Sequence, residues 1–111
     1  MRIDSVLGRS TVARRTTTEL TDLERRDVRY RGHVQGVGFR YTAEVLARRW
    51  PVTGYIQNLA NGDVRLVVEG QPAALDGLLE AIAQRMAGYV EETRVERAAA
   101  TGSFDRFQIR F

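Results

Sequence analysis

Hydrophobic and polar residues alternate along this chain with two periods, and each period predicts a different kind of element. Between Val28 and Val34 the two kinds of side chain alternate, which is typical of a strand with one buried and one exposed face. Between Phe39 and Trp50 the apolar residues recur at helical spacing instead, which predicts an amphipathic helix that Pro51 ends. The first half of the chain therefore predicts a strand followed by a helix.

The second half of the chain predicts a hairpin, a second helix and two more strands. The stretches "VTGYIQN" and "VRLVVEG" are typical of strands, and the Asn61–Gly62 pair between them favours a tight hairpin. A helix begins at Gln71–Pro72, carries its leucines on one face and ends at Gly88. A strand over residues 89–97 follows, and the closing "FDRFQIRF" alternates three apolar residues that we expect in the core: Phe107, Ile109 and Phe111.

This order of elements, β-α-β-β-α-β with a short final strand, is that of the ferredoxin-like split βαβ fold of the α+β class. In that fold both helices pack on one face of an antiparallel sheet, so that their apolar stripes are buried together. We expect one such domain over residues 27–111. Residues 1–26 are polar and rich in threonine and arginine, so we expect a flexible N-terminal extension there.

Composition narrows the functions that this domain can have. Residues 27–111 carry eleven arginines against ten acidic residues, without the concentrated basic face of a nucleic-acid-binding protein. No stretch is long and apolar enough to span a bilayer. The 111 residues include no cysteine, which excludes disulfides and thiolate metal ligands and suits a reducing compartment. We therefore expect a cytoplasmic monomer that binds neither nucleic acid nor membrane.

The stretch "GHVQGVGFR", residues 32–40, places three glycines and an arginine between the first strand and the first helix. Glycine permits backbone conformations with positive φ, so consecutive amides can point into one concavity that suits an anion. The following helix adds free N–H groups, and Arg40 adds a planar fork of donors that matches a phosphate. The loop therefore predicts a phosphate cradle closed by Arg40. A tight glycine turn with a solvated arginine fits the loop equally well.

Asn58 is the second candidate for a site residue. In a split βαβ fold the first two strands run parallel on either side of the third, so their carboxyl ends share one edge of the sheet. The glycine loop starts at the first of these ends, and Asn58 lies at the second, about 10 Å away across two strand spacings. An asparagine there can hold a water against a phosphate bound by Arg40. The competing interpretation is a turn asparagine that bonds its own backbone.

No other polar residue of these two stretches has the position of a catalytic acid or base. The only histidine, His33, is interpreted as a surface residue, and Glu69 as an exposed strand residue. The spacing of three aromatic residues indicates core packing: Phe39, Trp50 and Tyr55. Because fold alone does not determine function, a non-catalytic regulatory module that binds phosphate or another anion is the alternative to an enzyme.

The stretch "GHVQGVGFR" together with "GYIQNLANGDVRLVVEG" resembles the two signature motifs of the acylphosphatases, and the resemblance extends over residues 27–111. It implies metal-free and cofactor-free hydrolysis of the carboxyl–phosphate bond of small acyl phosphates to a carboxylate and inorganic phosphate. It also implies that Arg40 and the glycine loop bind the phosphate, while Asn58 positions the attacking water. The matching loop residues are Gln35, Gly36, Val37, Gly38 and Phe39. Three residues depart from the usual family pattern: His33, Tyr55 and Gln57.

Overall fold

The computed structural model describes residues 22–111, which form a five-stranded sheet and two helices. In chain order the elements are β1 (Glu24–Gly32), α1 (Phe39–Ala47), β2 (Thr53–Asn58), β3 (Val64–Gly70), α2 (Pro72–Arg85), β4 (Val90–Ala99) and β5 (Phe107–Arg110). The predicted ferredoxin-like α+β order is confirmed, with β5 as the short final strand. Neither helix of this part of the chain is long and apolar enough to cross a membrane.

The sheet has the strand order β4-β1-β3-β2-β5. Because β3 lies between β1 and β2 and is antiparallel to both, β1 and β2 run parallel to each other. The outermost strands differ in direction: β4 is antiparallel to β1, whereas β5 is parallel to β2. The glycine loop after β1 and the end of β2 therefore share one edge of the sheet.

The apolar pattern of α1 extends beyond the helix itself. The helix ends at Ala47, and the amides of residues 48–50 donate to the carbonyls three positions before them, which tightens the last turn. Pro51 explains this end, because the residue before a proline is disfavoured in the helical conformation. The indole of Trp50 packs against Gly77 of α2. A Cβ at position 77 would lie 2.5 Å from the indole Nε1, so the lack of a side chain at Gly77 leaves room for the predicted packing of Trp50.

The hydrophobic core lies between the sheet and the helices. Each of five elements contributes a side chain that is at most 2% exposed: Val28, Phe39, Ile56, Leu66 and Leu78. Burial of a side chain of this size stabilises the fold by about 1.5–3 kcal/mol. Phe107 and Ile109 pack against this core as predicted, but the prediction for Phe111 is wrong, since its side chain is 96% exposed. Phe111 follows the last residue of β5, so strand alternation no longer determines its burial.

The strand β1 begins before the apolar alternation that predicts it. Its first three residues are Glu24, Arg25 and Arg26, which the polar composition assigns to the N-terminal extension. Arg26 is 4% exposed, and its Nη1 donates to Asp76 Oδ1 of α2 at 2.8 Å. Paired charges, and not apolar side chains, cover this end of the strand, so hydrophobic periodicity gives no sign of it. Residues 1–21 of the predicted extension lie outside the described residues.

The connection from β4 to β5, residues 100–106, crosses the helix-free face of the sheet, and we call it the strap. It has to cross because β4 and β5 are the two outermost strands, on opposite sides of the sheet. Phe104 of the strap packs on Tyr55, with 5.9 Å between the ring centroids, and the Arg25 guanidinium lies 5.3 Å from the Phe104 ring. Tyr55 is therefore buried, as predicted, but on the strap side of the sheet and not in the helix-side core.

Glu69 fixes the strap to the sheet through hydrogen bonds. The prediction that Glu69 is exposed is wrong, because its side chain is only 5% exposed. Its Oε2 accepts hydrogen bonds from Arg25 Nε at 2.8 Å, from the Thr101 amide at 2.9 Å and from the Thr101 hydroxyl at 2.8 Å. Its Oε1 accepts a hydrogen bond from the Gly102 amide at 3.0 Å. Burial alone would raise the pKa of the Glu69 carboxyl, but these hydrogen bonds outweigh burial and hold the pKa below its ordinary value.

We expect Glu69→Gln to lower the free energy of unfolding by about 1–3 kcal/mol at neutral pH, because an amide nitrogen would face groups that now donate to a carboxylate oxygen. Since the pKa of Glu69 is lowered in the folded state, its charge stabilises the fold at pH values above the ordinary pKa of 4.5. That contribution is lost as the pH falls through the folded-state pKa. Urea unfolding of both proteins at neutral and acidic pH measures the difference, which should shrink in acid.

The exposed Glu91 of β4 provides the control for this prediction. Glu91→Gln removes the same charge without touching the strap, so its free energy of unfolding should stay within about 0.5 kcal/mol of the wild-type value. An equal loss in the two variants, or a Glu69→Gln loss that does not change with pH, would contradict the role given to Glu69.

Candidate active site

The glycine loop, residues 33–38, connects β1 to α1 and turns at two glycines. Gly36 and Gly38 both have a φ of 79°, a left-handed conformation that is unfavourable for other residues. A Cβ added at either position would meet no atom within 4 Å, so these positions require glycine for its conformation and not for lack of space. The open space beside both glycines allows a ligand to approach the backbone closely.

The helix α1 begins directly after this loop with uncapped N–H groups. Gly38 is the N-cap residue and has no side chain that could accept a hydrogen bond from them. The first helical bond runs from the Thr42 amide to the Gly38 carbonyl at 2.9 Å, so the preceding amides have no helical acceptor. Free amides at the positive end of a helix dipole attract anions.

Arg40 is the second residue of α1, and the C-terminal segment contacts its side chain. Its Nη1 donates to the Arg110 carbonyl at 3.3 Å, and its guanidinium carbon lies 4.9 Å from the centroid of the Phe111 ring. The ion pairs formed within residues 22–111 do not include Arg40. Within the described domain Arg40 therefore has no ion-pair partner.

Asn58 ends β2 at the same edge of the sheet as the glycine loop. It pairs with Val64 of β3, and Val64 pairs on its other side with Tyr30 of β1. These three residues form one row across the sheet, which places the ends of β1 and β2 on either side of β3. Among the side-chain hydrogen bonds of residues 22–111, none involves Asn58, so the described structure does not support a turn asparagine bonded to its own backbone.

The glycine loop, the N-terminus of α1, Arg40 and Asn58 line one cavity of about 280 Å³. Five of the seven predicted site residues line it: Gly36, Gly38, Phe39, Arg40 and Asn58. The other lining residues are Val34, Tyr41, Ile109 and Phe111. The cavity therefore combines a glycine loop, a helix N-terminus, an arginine and an amide side chain with an apolar wall.

The other two predicted loop residues do not line the cavity, because their side chains hold the loop in place. Gln35 Nε2 donates to the Leu59 carbonyl at 2.8 Å and to the Asp63 carbonyl at 2.9 Å, which ties the loop to the β2–β3 hairpin. The Val37 side chain packs against the hydrophobic core. An anion in the cavity could therefore contact Gln35 or Val37 only through backbone groups.

Besides Val34, which belongs to the first motif, sequence reasoning missed three residues of the cavity: Tyr41, Ile109 and Phe111. Tyr41 lies off the apolar stripe of α1, between the buried Phe39 and Ala43, and that position is the signal that could have marked it as exposed. No local signal could have marked the other two residues, because only the parallel pairing of β5 with β2 brings them beside α1.

A second polar cavity, of about 130 Å³, lies on the helix-free face of the sheet. Its lining arginines already have carboxylate partners, with 3.8 Å between Arg29 Nη1 and Asp63 Oδ2 and 3.0 Å between Arg94 Nε and Glu92 Oε2. None of the predicted site residues lines it. Within residues 22–111, no three His, Cys, Asp or Glu side chains are grouped so that they could hold a metal ion. The glycine-loop cavity is therefore the candidate site.

Known proteins are similar to this chain in sequence and in fold. The acylphosphatase family model matches residues 26–109. The acylphosphatase of Salinibacter ruber is 40% identical over 92 residues, which cover 81% of this chain and 97% of that protein. The acylphosphatase of a Synechococcus strain is 38% identical over 91 residues, with 82% and 97% covered. The crystal structure of Bacillus subtilis acylphosphatase matches with a TM-score of 0.69 and 29% identity, over 80% of this chain and 99% of that one.

The fold and the cavity define a ferredoxin-like α+β domain in which a glycine loop, a helix N-terminus and an arginine meet at one edge of the sheet. The extent of the sequence matches then identifies its family. The chain belongs to the acylphosphatase family. The resemblance that the two motifs suggested is confirmed.

Proposed function

We propose that this acylphosphatase-family enzyme hydrolyses the carboxyl–phosphate bond of small acyl phosphates, and releases a carboxylate and inorganic phosphate. The observation that carries this proposal is the convergence of Gly36, Gly38, Arg40 and Asn58 on one cavity. Two relatives that this chain matches over nearly their whole length are named acylphosphatases, which supports acyl phosphates as the substrate class. The proposal requires no metal or other cofactor.

The phosphate group of the substrate binds at the N-terminus of α1. Backbone amides between Gln35 and Phe39 donate to its oxygens, and the left-handed glycines Gly36 and Gly38 orient those amides. Arg40 adds two parallel donors, which match two oxygens of a phosphate. These groups are fixed before the substrate arrives, so little reorganisation is needed when charge accumulates on the phosphate oxygens in the transition state.

The attacking water is positioned by Asn58. Its side-chain carbonyl accepts a hydrogen bond from the water, which directs a lone pair of the water oxygen towards phosphorus. A new P–O bond forms on this side while the bond between phosphorus and the acyl oxygen breaks on the other, and its electron pair leaves with the carboxylate. Holding water and substrate in line converts a collision into an intramolecular step, which is a main source of rate in phosphoryl transfer.

Neither a strong general acid nor a general base is part of the proposal. The leaving group is a carboxylate, which is stable as an anion and needs no proton. No Asp, Glu or His side chain lines the part of the cavity that the structure describes, and in this proposal the proton of the water passes to a phosphate oxygen. Arg40 and the loop amides therefore supply the electrostatic stabilisation on which the rate depends.

Phosphate release from benzoyl phosphate with EDTA present tests this proposal. We expect the wild-type protein to exceed the uncatalysed rate by a factor of at least about 10⁶, with inorganic phosphate as a competitive inhibitor. Binding of inorganic phosphate without turnover would assign the chain to the alternative class, a non-catalytic anion-binding module. Turnover that EDTA abolishes would contradict the metal-free chemistry.

A further inference from the structure

Two exposed aromatic side chains line the cavity in which the phosphate is proposed to bind. Within residues 22–111 four large apolar side chains are exposed: Tyr41, Tyr89, Val95 and Phe111. Two of them, Tyr41 and Phe111, line the glycine-loop cavity together with Ile109 of β5. Exposed apolar side chains that cluster at a polar cavity are typical of a ligand-binding surface.

Folding does not account for the position of Tyr41. Its side chain is 66% exposed in the first turn of α1, away from the core cluster formed by its neighbours Phe39 and Ala43. A ring in this place contributes little to the core and remains available to a ligand. Arg40 precedes it directly, so any molecule whose phosphate reaches Arg40 passes close to this ring.

We propose that Tyr41, with Ile109 and Phe111, forms a binding wall for the acyl group and selects acyl phosphates with an apolar, preferably aromatic, acyl group. This inference rests on the proposed function. The phosphate is common to all acyl phosphates, so the glycine loop and Arg40 cannot distinguish one substrate from another. Discrimination has to come from the lining residues that contact the acyl group.

The charges of the cavity favour an apolar acyl group over an anionic one. Arg40 is the only charged side chain that lines the described cavity, and the substrate phosphate would already engage it. A second carboxylate on the acyl group would find no partner there, whereas an aromatic acyl group could stack on Tyr41. The small methyl group of acetyl phosphate would leave most of this wall in contact with water.

Tyr41 gives a cleaner test of this wall than Phe111, because the Phe111 ring also lies against the Arg40 guanidinium. Replacing Phe111 would change acyl binding and the position of Arg40 together. The matched control is Tyr89, which is also an exposed tyrosine, at 42%, but does not line the cavity. Within residues 22–111 its hydrogen bonds involve only backbone groups, which a side-chain substitution retains.

The experiment compares kcat/KM for benzoyl phosphate and acetyl phosphate in the wild type, Tyr41→Ser, Tyr41→Phe and Tyr89→Ser. We expect the ratio of the two values to fall by roughly tenfold in Tyr41→Ser, the size of effect that loss of one aromatic contact produces. Tyr41→Phe, which keeps the ring, should retain the ratio, as should Tyr89→Ser. The inhibition constant of inorganic phosphate reports separately whether the phosphate end of the cavity is intact.

The outcomes separate failure of this inference from failure of the proposed function. If Tyr41→Ser hydrolyses both substrates and keeps the wild-type ratio, the acyl wall is wrong while the acylphosphatase activity stands. The same conclusion follows if Tyr89→Ser lowers the ratio as much as Tyr41→Ser does. If the wild type releases phosphate from neither substrate, the proposed function fails, and the acyl wall fails with it because it requires that reaction.

Discussion

Arg40→Lys lowers kcat/KM for benzoyl phosphate by roughly 10²–10³, the loss expected when one well-placed donor to a transition-state oxyanion is removed. Both side chains carry a positive charge, but only a guanidinium presents two parallel donors that bond two phosphate oxygens at once. The Arg110 carbonyl and the Phe111 ring contact the planar guanidinium from the C-terminal segment. An ammonium group on a flexible stem cannot keep both contacts and also span two oxygens.

Steady-state kinetics and the inhibition constant of inorganic phosphate measure this effect. The value of kcat/KM should fall and the inhibition constant should rise, because Arg40 is proposed to contact the phosphate in the ground state as well as in the transition state. The matched control is Arg48→Lys, since Arg48 is 69% exposed and forms only a loose pair with Glu44, at 3.9 Å. This control should retain activity within about twofold. Near-normal turnover in Arg40→Lys would show that a point charge suffices and that the two-donor role is wrong.

Asn58→Ala lowers kcat by roughly 10²–10³ while inorganic phosphate still binds almost as well as to the wild type. The reason is that Asn58 is proposed to orient the water and not to bind the phosphate. Without the amide, the water samples many orientations, and few of them place its oxygen in line with the departing carboxylate. A loss in kcat and kcat/KM alike, without a change in phosphate binding, is the kinetic sign of an interaction made only in the transition state.

The neighbouring amide provides the control for this second prediction. Gln57 precedes Asn58 in β2, but its side chain points to the opposite face of the sheet because successive strand residues alternate. Gln57→Ala should therefore retain kcat. Equal losses in the two variants would attribute the effect to a disturbed strand. A large rise in the inhibition constant of phosphate in Asn58→Ala would make Asn58 a phosphate ligand and not a water-positioning residue.

Local patterns were sufficient to predict the elements and much of the candidate site. Pro72 is the first residue of α2 after the N-cap Gln71, as the Gln71–Pro72 pair indicates. The Asn61–Gly62 hairpin joins β2 to β3, and Gly62 has the positive φ, 98°, that such turns require. Both features depend on backbone conformation within a few residues, which the identity of those residues largely determines.

The edge of the sheet that carries the site could also be predicted, because the topology leaves little choice. Once β1 and β2 lie on either side of β3 and run parallel to each other, the glycine loop and Asn58 must meet at one edge. The sequence therefore determined the order of the elements, the two motifs and the edge at which they meet. It could not determine which side chains close the cavity between them.

Only the tertiary structure decided the burial of Glu69, the exposure of Phe111 and the apolar wall of the cavity. Glu69 accepts hydrogen bonds from Thr101 and Gly102, more than thirty positions further along the chain, and from Arg25, 44 positions before it. Arg40 donates to a carbonyl seventy positions away. Hydrophobic periodicity predicts which face of a helix or strand is buried, because hydrophobicity is a property of each side chain. It does not predict which distant segment covers a given side chain, because that depends on where the strap crosses the sheet and on the pairing of β5 with β2.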